Sequence, residues 1–123
     1  MTLAARAMAQ LRDWPDLSEA GPSCGTGQGM GSVRGELLHF HSGQDADLRL
    51  TVGVVRRLAE DLAASPAVRV VPGSPWVTLH LESDADIDLL IMLVSVALQA
   101  DQTWPLLGET RQDRCNNARI QCL

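Results

Sequence analysis

Apolar residues recur at helical spacing in three stretches of the chain, residues 4–11, 55–62 and 87–98. Thr2 precedes the first stretch and Thr51 precedes the second, and a threonine in that place can cap a helix. The pattern therefore predicts three helices, each with an apolar face that other parts of the chain must cover.

The third helix is apolar on nearly every side, which distinguishes it from the other two. Ser83 precedes it, and Asp86 follows at the spacing of a capping box. Residues 87–98 are too few for a membrane span, which needs about 20 apolar residues, so no membrane is expected as a partner. The helix is expected either to lie at the centre of the helical layer or to form a homodimer contact.

Apolar and polar residues alternate in four further stretches, which predicts strands. These stretches are residues 32–41, 46–51, 67–71 and 76–82. Turn-forming residues at 42–45 and 72–75 join them in pairs, so each pair is expected to form an antiparallel hairpin. The order helix, two strands, helix, two strands, helix (α-β-β-α-β-β-α) predicts an α+β fold. It is a two-layer sandwich, with an antiparallel sheet of about four strands and helices packed on one face.

Residues 18–31 hold five of the ten glycines of the chain, and this composition predicts a mobile connector. The stretch from Gly25 to Gly31 is superficially similar to a phosphate-binding loop. It lacks the lysine and the serine or threonine that should follow the last glycine, and no strand is predicted before it. A nucleotide cofactor is therefore not expected.

Length and composition limit the function classes. A chain of 123 residues predicts one domain, assigned to residues 1–109, followed by a polar C-terminal tail at 110–123. The formal charge of −5, without a concentrated basic stripe, argues against nucleic acid as a partner. The N-terminus lacks the pattern of a signal peptide, so a cytoplasmic protein is expected. The three cysteines are then expected to be free thiols, with a disulfide bridge as the alternative: Cys24, Cys115 and Cys122.

Strand alternation places the three histidines on one face of the predicted sheet. His39 and His41 share one side of their strand, Leu38 and Phe40 share the other, and His80 has the corresponding place in the last strand. The histidine face is expected to be open to water, because the helices cover the opposite face. Its polar residues are His39, His41, Asp47, Arg49, Thr78, His80 and Glu82, with Trp76 at the border.

Such a face predicts proton transfer or ligand binding, because imidazole titrates near neutral pH. His39 or His41 would act as the general base, Asp47 would orient it, and Arg49 would hold an anionic group of a small-molecule substrate. A metal ion bound by His39, His41 and His80 is a less favoured alternative. A third alternative is a solvated face whose histidines only pair with neighbouring carboxylates.

Glu36 is a further candidate for ligand binding. Alternation puts it on the side of Leu38 and Phe40, where a buried carboxylate would need a partner or a raised pKa. A position at the exposed end of the strand is the simpler expectation for Glu36.

Several of these residues together resemble the luciferase domain family, a small bacterial and fungal family. The family pattern has a glutamate, a His-x-His, an aspartate in the returning strand and a Trp-Val pair at the last strand. Those places are occupied here by Glu36, His39, His41, Asp47, Trp76 and Val77. The resemblance spans about residues 32–100, and it departs from the family pattern at Ser74-Pro75, where a glycine would precede the tryptophan. It implies the α+β fold and the shared polar face. It does not imply the large barrel luciferases, because such a barrel needs about 250 residues.

The sequence therefore indicates two alternative classes of function. The preferred one is a small-molecule-binding or accessory enzyme domain that uses the histidine face for proton transfer or ligand binding. The alternative is a non-catalytic, dimeric module that binds a protein partner in a chaperone-like way, with its dimer contact at the helix 87–98. A pocket walled by Trp76 and the histidines, with at least one imidazole held by a carboxylate, would favour the first class. A flat or helical apolar patch elsewhere, together with freely solvated histidines, would favour the second.

Overall fold

The computed structural model describes residues 2–20, 28–32 and 35–103, which form an α+β fold. The predicted tail and the three cysteines lie outside these residues. The helices are α1 Leu3–Leu11, α2 Val52–Arg57, α3 Ala59–Ala64 and α4 Asp84–Thr103. The strands are β1 Ser18–Ala20, β2 Gln28–Ser32, β3 Gly35–Phe40, β4 Asp45–Arg49, β5 Val68–Val70 and β6 Trp76–His80.

The six strands form one antiparallel sheet in the order β1-β2-β3-β4-β6-β5. The four predicted strands are present as β3, β4, β5 and β6. The prediction of about four strands was too low, because β1 and β2 extend the sheet beyond β3.

The mobile connector predicted at residues 18–31 is wrong at both of its described ends, where the chain forms β1 and β2. Residues 21–27 between them lie outside the described residues. β2 is rich in glycine, so its side chains show no strand alternation, and its main chain becomes a strand by pairing with β1 and β3. Gly31 must be glycine, because a Cβ atom there would collide with the main-chain carbonyl of Gly35.

The first predicted helix is confirmed as α1. The Thr2 hydroxyl accepts a hydrogen bond from the Ala5 amide at 3.0 Å and so caps the helix. Its four predicted apolar positions are all buried: Ala4, Ala7, Met8 and Leu11.

The second predicted helix is interrupted, and the third is longer than predicted. Leu58, with φ −97° and ψ 11°, leaves helical geometry and separates α2 from α3. Before α4, the Asp86 carboxylate accepts hydrogen bonds from the amides of Glu82 at 2.8 Å and Ser83 at 3.1 Å. These bonds satisfy two amide groups next to the helix start, which supports the predicted role of Asp86 as a capping residue.

One hydrophobic core lies between the helices and one face of the sheet. The sheet contributes Leu38, Phe40, Ala46, Leu48, Val77 and Leu79. The long helix α4 contributes Ile87, Leu90, Leu93, Val94, Ala97 and Ala100. Since burying one such large side chain stabilises a fold by roughly 1.5–3 kcal/mol, this face fixes the orientation of the sheet. The opposite face is therefore the one that carries the histidines.

The outward positions of α4 are mostly polar. Asp88, Ser95 and Gln99 are exposed there, and the large apolar residue among them is Met92, which is 56% exposed. None of the helices in the described residues combines the length and the apolar character needed to cross a bilayer.

Candidate functional site

The strand register aligns polar residues in rows across the histidine face. His39 lies opposite Asp47, Asp47 opposite Thr78, and Thr78 opposite Arg69, which makes one row across β3, β4, β6 and β5. Directly opposite residues share a face of the sheet, so these four side chains project to the same side. In the next row His80 lies opposite Asp45.

His41 also lies in the second row, because its amide donates a hydrogen bond to the Asp45 carbonyl oxygen at 2.9 Å. The His39 and His41 rings lie side by side, with centroids 4.2 Å apart and planes inclined by 37°. The prediction that the three histidines share one face of the sheet is therefore confirmed.

At the centre of this face, Asp47 holds His41 and Thr78 together. Asp47 Oδ2 lies 3.0 Å from His41 Nε2, and Asp47 Oδ1 accepts a hydrogen bond of 2.6 Å from the Thr78 hydroxyl. The Asp47 side chain is 1% exposed and the His41 side chain is 12% exposed. A buried carboxylate that is held by two donors is a stable anchor for an imidazole that reaches the surface.

The expectation of a water-exposed face is wrong at its centre. His39 is completely buried, and Asp47, Arg49 and Trp76 are each 1% exposed. In many antiparallel sheets only one face is covered, but in this protein side chains on both faces of the sheet are buried. His39 therefore packs against the His41 ring and cannot itself reach solvent.

Glu36 lies beside His39, which strand alternation did not predict. Its carboxylate is 3.8 Å from His39 Nδ1, and its side chain is 8% exposed. The pairing register explains this position: Met30 pairs with Leu38, but Gly31 pairs with Glu36, so β3 contains one extra residue. Such a bulge exchanges the two faces of a strand beyond it, and it moves Glu36 from the predicted core side to the histidine side.

A cleft of about 540 Å³ opens on this face. Its polar lining consists of His41, Asp45, Asp47, Arg69, Thr78 and His80. A short apolar wall is formed by the segment Pro66 to Val68, which leads into β5. The volume is in the range of cavities that bind small molecules.

The cleft contains some of the predicted site residues and not others. His41, Asp47, Thr78 and His80 line it, as the sequence predicted for a shared site. The other predicted residues do not: His39, Glu36, Arg49, Trp76 and Glu82. The predicted wall at Trp76 is thus incorrect, because the indole is buried outside the cleft.

Two of the polar lining residues, Asp45 and Arg69, were not predicted as site residues. Asp45 looked like a turn residue, because it follows Ser42 and Gly43. Arg69 alternates with Val68 and Val70 in a short strand, and this was the available signal that its side chain points away from the apolar layer.

The rim of the cleft carries a second pair of imidazole and carboxylate. His80 Nδ1 lies 2.7 Å from Asp45 Oδ1, and His80 Nε2 lies 3.4 Å from Glu82 Oε1. The Ser42 hydroxyl donates to the other Asp45 oxygen at 3.0 Å. The hydrogen bond to Asp45 raises the pKa of His80 above its usual value of 6.5, with smaller contributions from nearby acidic charges.

The arrangement of the histidines does not correspond to a metal site. Within residues 2–20, 28–32 and 35–103, no three His, Cys, Asp or Glu side chains are grouped to hold an ion. The His39 and His41 rings pack against each other, and His80 is held at the rim by Asp45.

Comparison with known proteins gives one match. The family model described as Luciferase domain matches residues 34–97, just over half of the chain. That interval contains β3 to β6 and most of α4, and it includes every residue that lines the cleft. No curated protein and no solved structure matches the chain.

Proposed function

The chain belongs to the luciferase domain family, and we propose that it binds a small molecule in the cleft and transfers a proton through His41. The pairing of His41 Nε2 with the buried Asp47 carboxylate at 3.0 Å carries this proposal. A carboxylate in that position orients an imidazole and stabilises its protonated form. Thr78 fixes the carboxylate in turn through its 2.6 Å hydrogen bond.

The roles of the residues follow from their access to the cleft. His41 is the general acid or base, because it lines the cleft and is partly exposed. Asp47 and Thr78 orient it. His39 is a positioning residue, because it is completely buried and its ring packs against the His41 ring.

A screen of small polar compounds, followed by amide chemical shifts of the labelled protein, tests the binding part of this proposal. The expected result is a set of compounds whose perturbations centre on His41, Asp45, Thr78 and His80. A screen in which perturbations never reach these four residues would contradict the proposal.

The proton-transfer part is tested on any reaction found with such a compound. His41→Gln should lower its rate by about 10²–10⁴-fold, the usual contribution of a general acid or base. Met92→Gln, on the exposed side of α4, is the matched control and should leave the rate unchanged. A His41→Gln variant with the wild-type rate would remove His41 from the reaction.

A further inference from the structure

We infer that the cleft selects small anionic molecules and that Arg69 is the residue that recognises their negative group. This inference rests on the proposed function and adds a substrate class to it. The observations that carry it are the charges that line the cleft and the interactions that each charged group already makes.

The two carboxylates of the cleft are already engaged by hydrogen-bond donors. Asp45 is held by His80 at 2.7 Å and by Ser42 at 3.0 Å. Asp47 is held by Thr78 at 2.6 Å and by His41 at 3.0 Å. Their negative charge is therefore partly compensated within the protein, which reduces the repulsion that an incoming anion would meet.

Arg69 differs from these groups because, among the described residues, no carboxylate is paired with it. Its side chain lines the cleft and is exposed. Arginine presents a planar fork of donors that matches a carboxylate or a phosphate with two parallel hydrogen bonds.

The position of Arg69 relative to His41 and Asp47 indicates the length and shape of the ligand. Arg69 lies two strands from Asp47 in one row of the sheet, a backbone separation of roughly 10 Å. The apolar segment Pro66 to Val68 forms the adjacent wall. A ligand that spans this distance has an anionic group at Arg69, a small apolar body along the wall, and its reacting atom beside His41.

This assignment replaces the predicted role of Arg49. The Arg49 side chain is 1% exposed and does not line the cleft, so it cannot contact a ligand there. Arg69 in β5 therefore has the anion-binding role that the sequence suggested for Arg49 in β4.

The experiment titrates the protein with benzoate, phenyl phosphate and benzamide, and follows amide chemical shifts in the cleft. Benzamide has the shape of benzoate without its charge, and phenyl phosphate distinguishes phosphate from carboxylate as the preferred anion. The proteins are wild type, Arg69→Gln and Arg69→Lys. Arg56→Gln is the control, because it removes the same charge from an exposed site on α2 outside the cleft lining.

The expected result is binding of at least one anion in the cleft, weakened about tenfold or more by Arg69→Gln and less by Arg69→Lys. Arg56→Gln should leave that affinity unchanged, and benzamide should bind more weakly than benzoate. Equal affinity for benzoate and benzamide, or equal effects of Arg69→Gln and Arg56→Gln, would overturn the inference.

The outcomes also separate this inference from the proposed function. If neutral compounds from the screen perturb the cleft while the two anions do not, the anion selectivity fails and the binding function stands. If no compound of either kind perturbs the cleft, the proposed function fails, and the inference fails with it.

Discussion

His41 is the residue of the histidine face that is best placed to react with a ligand. It lies on the cleft, it is bonded to a buried carboxylate, and a second imidazole packs against its ring. Each contact restricts the ring without covering it completely, since the side chain remains 12% exposed. Fixed orientation together with access to a ligand is what proton transfer requires of a side chain.

Thr78 is expected to contribute to stability through the Asp47 carboxylate. Thr78→Val keeps the shape of the side chain and removes the 2.6 Å hydrogen bond to a carboxylate that is almost fully buried. Because hydrogen bonds to charged groups are among the stronger ones, the free energy of unfolding should fall by about 1.5–3 kcal/mol. Urea unfolding measures it, with Ser95→Ala on the exposed side of α4 as a control that should change little. A loss no larger than that of the control would show that the bond is not formed in solution.

His80 should make stability depend on pH. Its pKa is raised in the folded state, chiefly by the hydrogen bond to Asp45, so the folded protein binds the proton more tightly than the unfolded chain. The resulting stabilisation is complete below the unfolded pKa of about 6.5, while Asp45 stays ionised, and is lost as the pH rises through the folded pKa. Unfolding of wild type and His80→Gln at pH 5.5 and pH 9 should therefore differ more at the lower pH. An equal difference at both values would contradict this assignment.

At the scale of elements, the bulge between β2 and β3 determines which residues share the histidine face. The extra residue in β3 moves Glu36 to the side of His39. Gly31 allows this close approach, because a side chain there would meet the main chain of Gly35 and Glu36. The bulge therefore depends on close contact between main-chain atoms, and no pattern of side chains in the sequence predicts it.

Gly31→Ala tests the role of this approach. The added methyl group should force the two strands apart and lower the free energy of unfolding by about 1–3 kcal/mol, as overpacking does elsewhere. Gly53→Ala is the matched control, because a Cβ there meets nothing within 4 Å and the residue lies in α2. That control should be stabilised by about 0.5–1 kcal/mol. Equal effects of the two substitutions would mean that the approach at Gly31 is not tight.

At the scale of the whole molecule, the sequence predicted the helix-covered side better than the histidine side. Apolar spacing identified α1, the middle of α4 and the strands β3, β4 and β6, because these elements bury regular faces in one core. It also identified β5, although Val70 in that strand is exposed. β1 and β2 could not be found in this way, since short or glycine-rich strands are defined by their neighbours. Strand parity united His39, His41 and His80, but it failed at Glu36, because a bulge changes parity without changing composition.

Burial of the histidine face could not be predicted either. Polar residues such as His39, Asp47 and Arg49 are typical of a solvent-exposed surface, yet all three side chains are buried. Residues far apart in the sequence satisfy one another there, as Asp47 and Thr78 do. Hydropathy evaluates each residue alone, so it misses polar groups that are buried together with their partners.

The alternative function, a dimeric partner-binding module, makes a different demand on the whole molecule. A homodimer through residues 87–98 needs a continuous apolar surface on the outward side of α4. The apolar residues of that helix mostly pack in the core, and its exposed positions are polar except for Ala85 and Met92. We therefore expect the chain to sediment as a monomer at tens of micromolar, and Met92→Glu to sediment identically. A wild-type dimer that Met92→Glu dissociates would instead place the contact on α4. The helix would then have two partners, the sheet on one side and a second copy of the chain on the other.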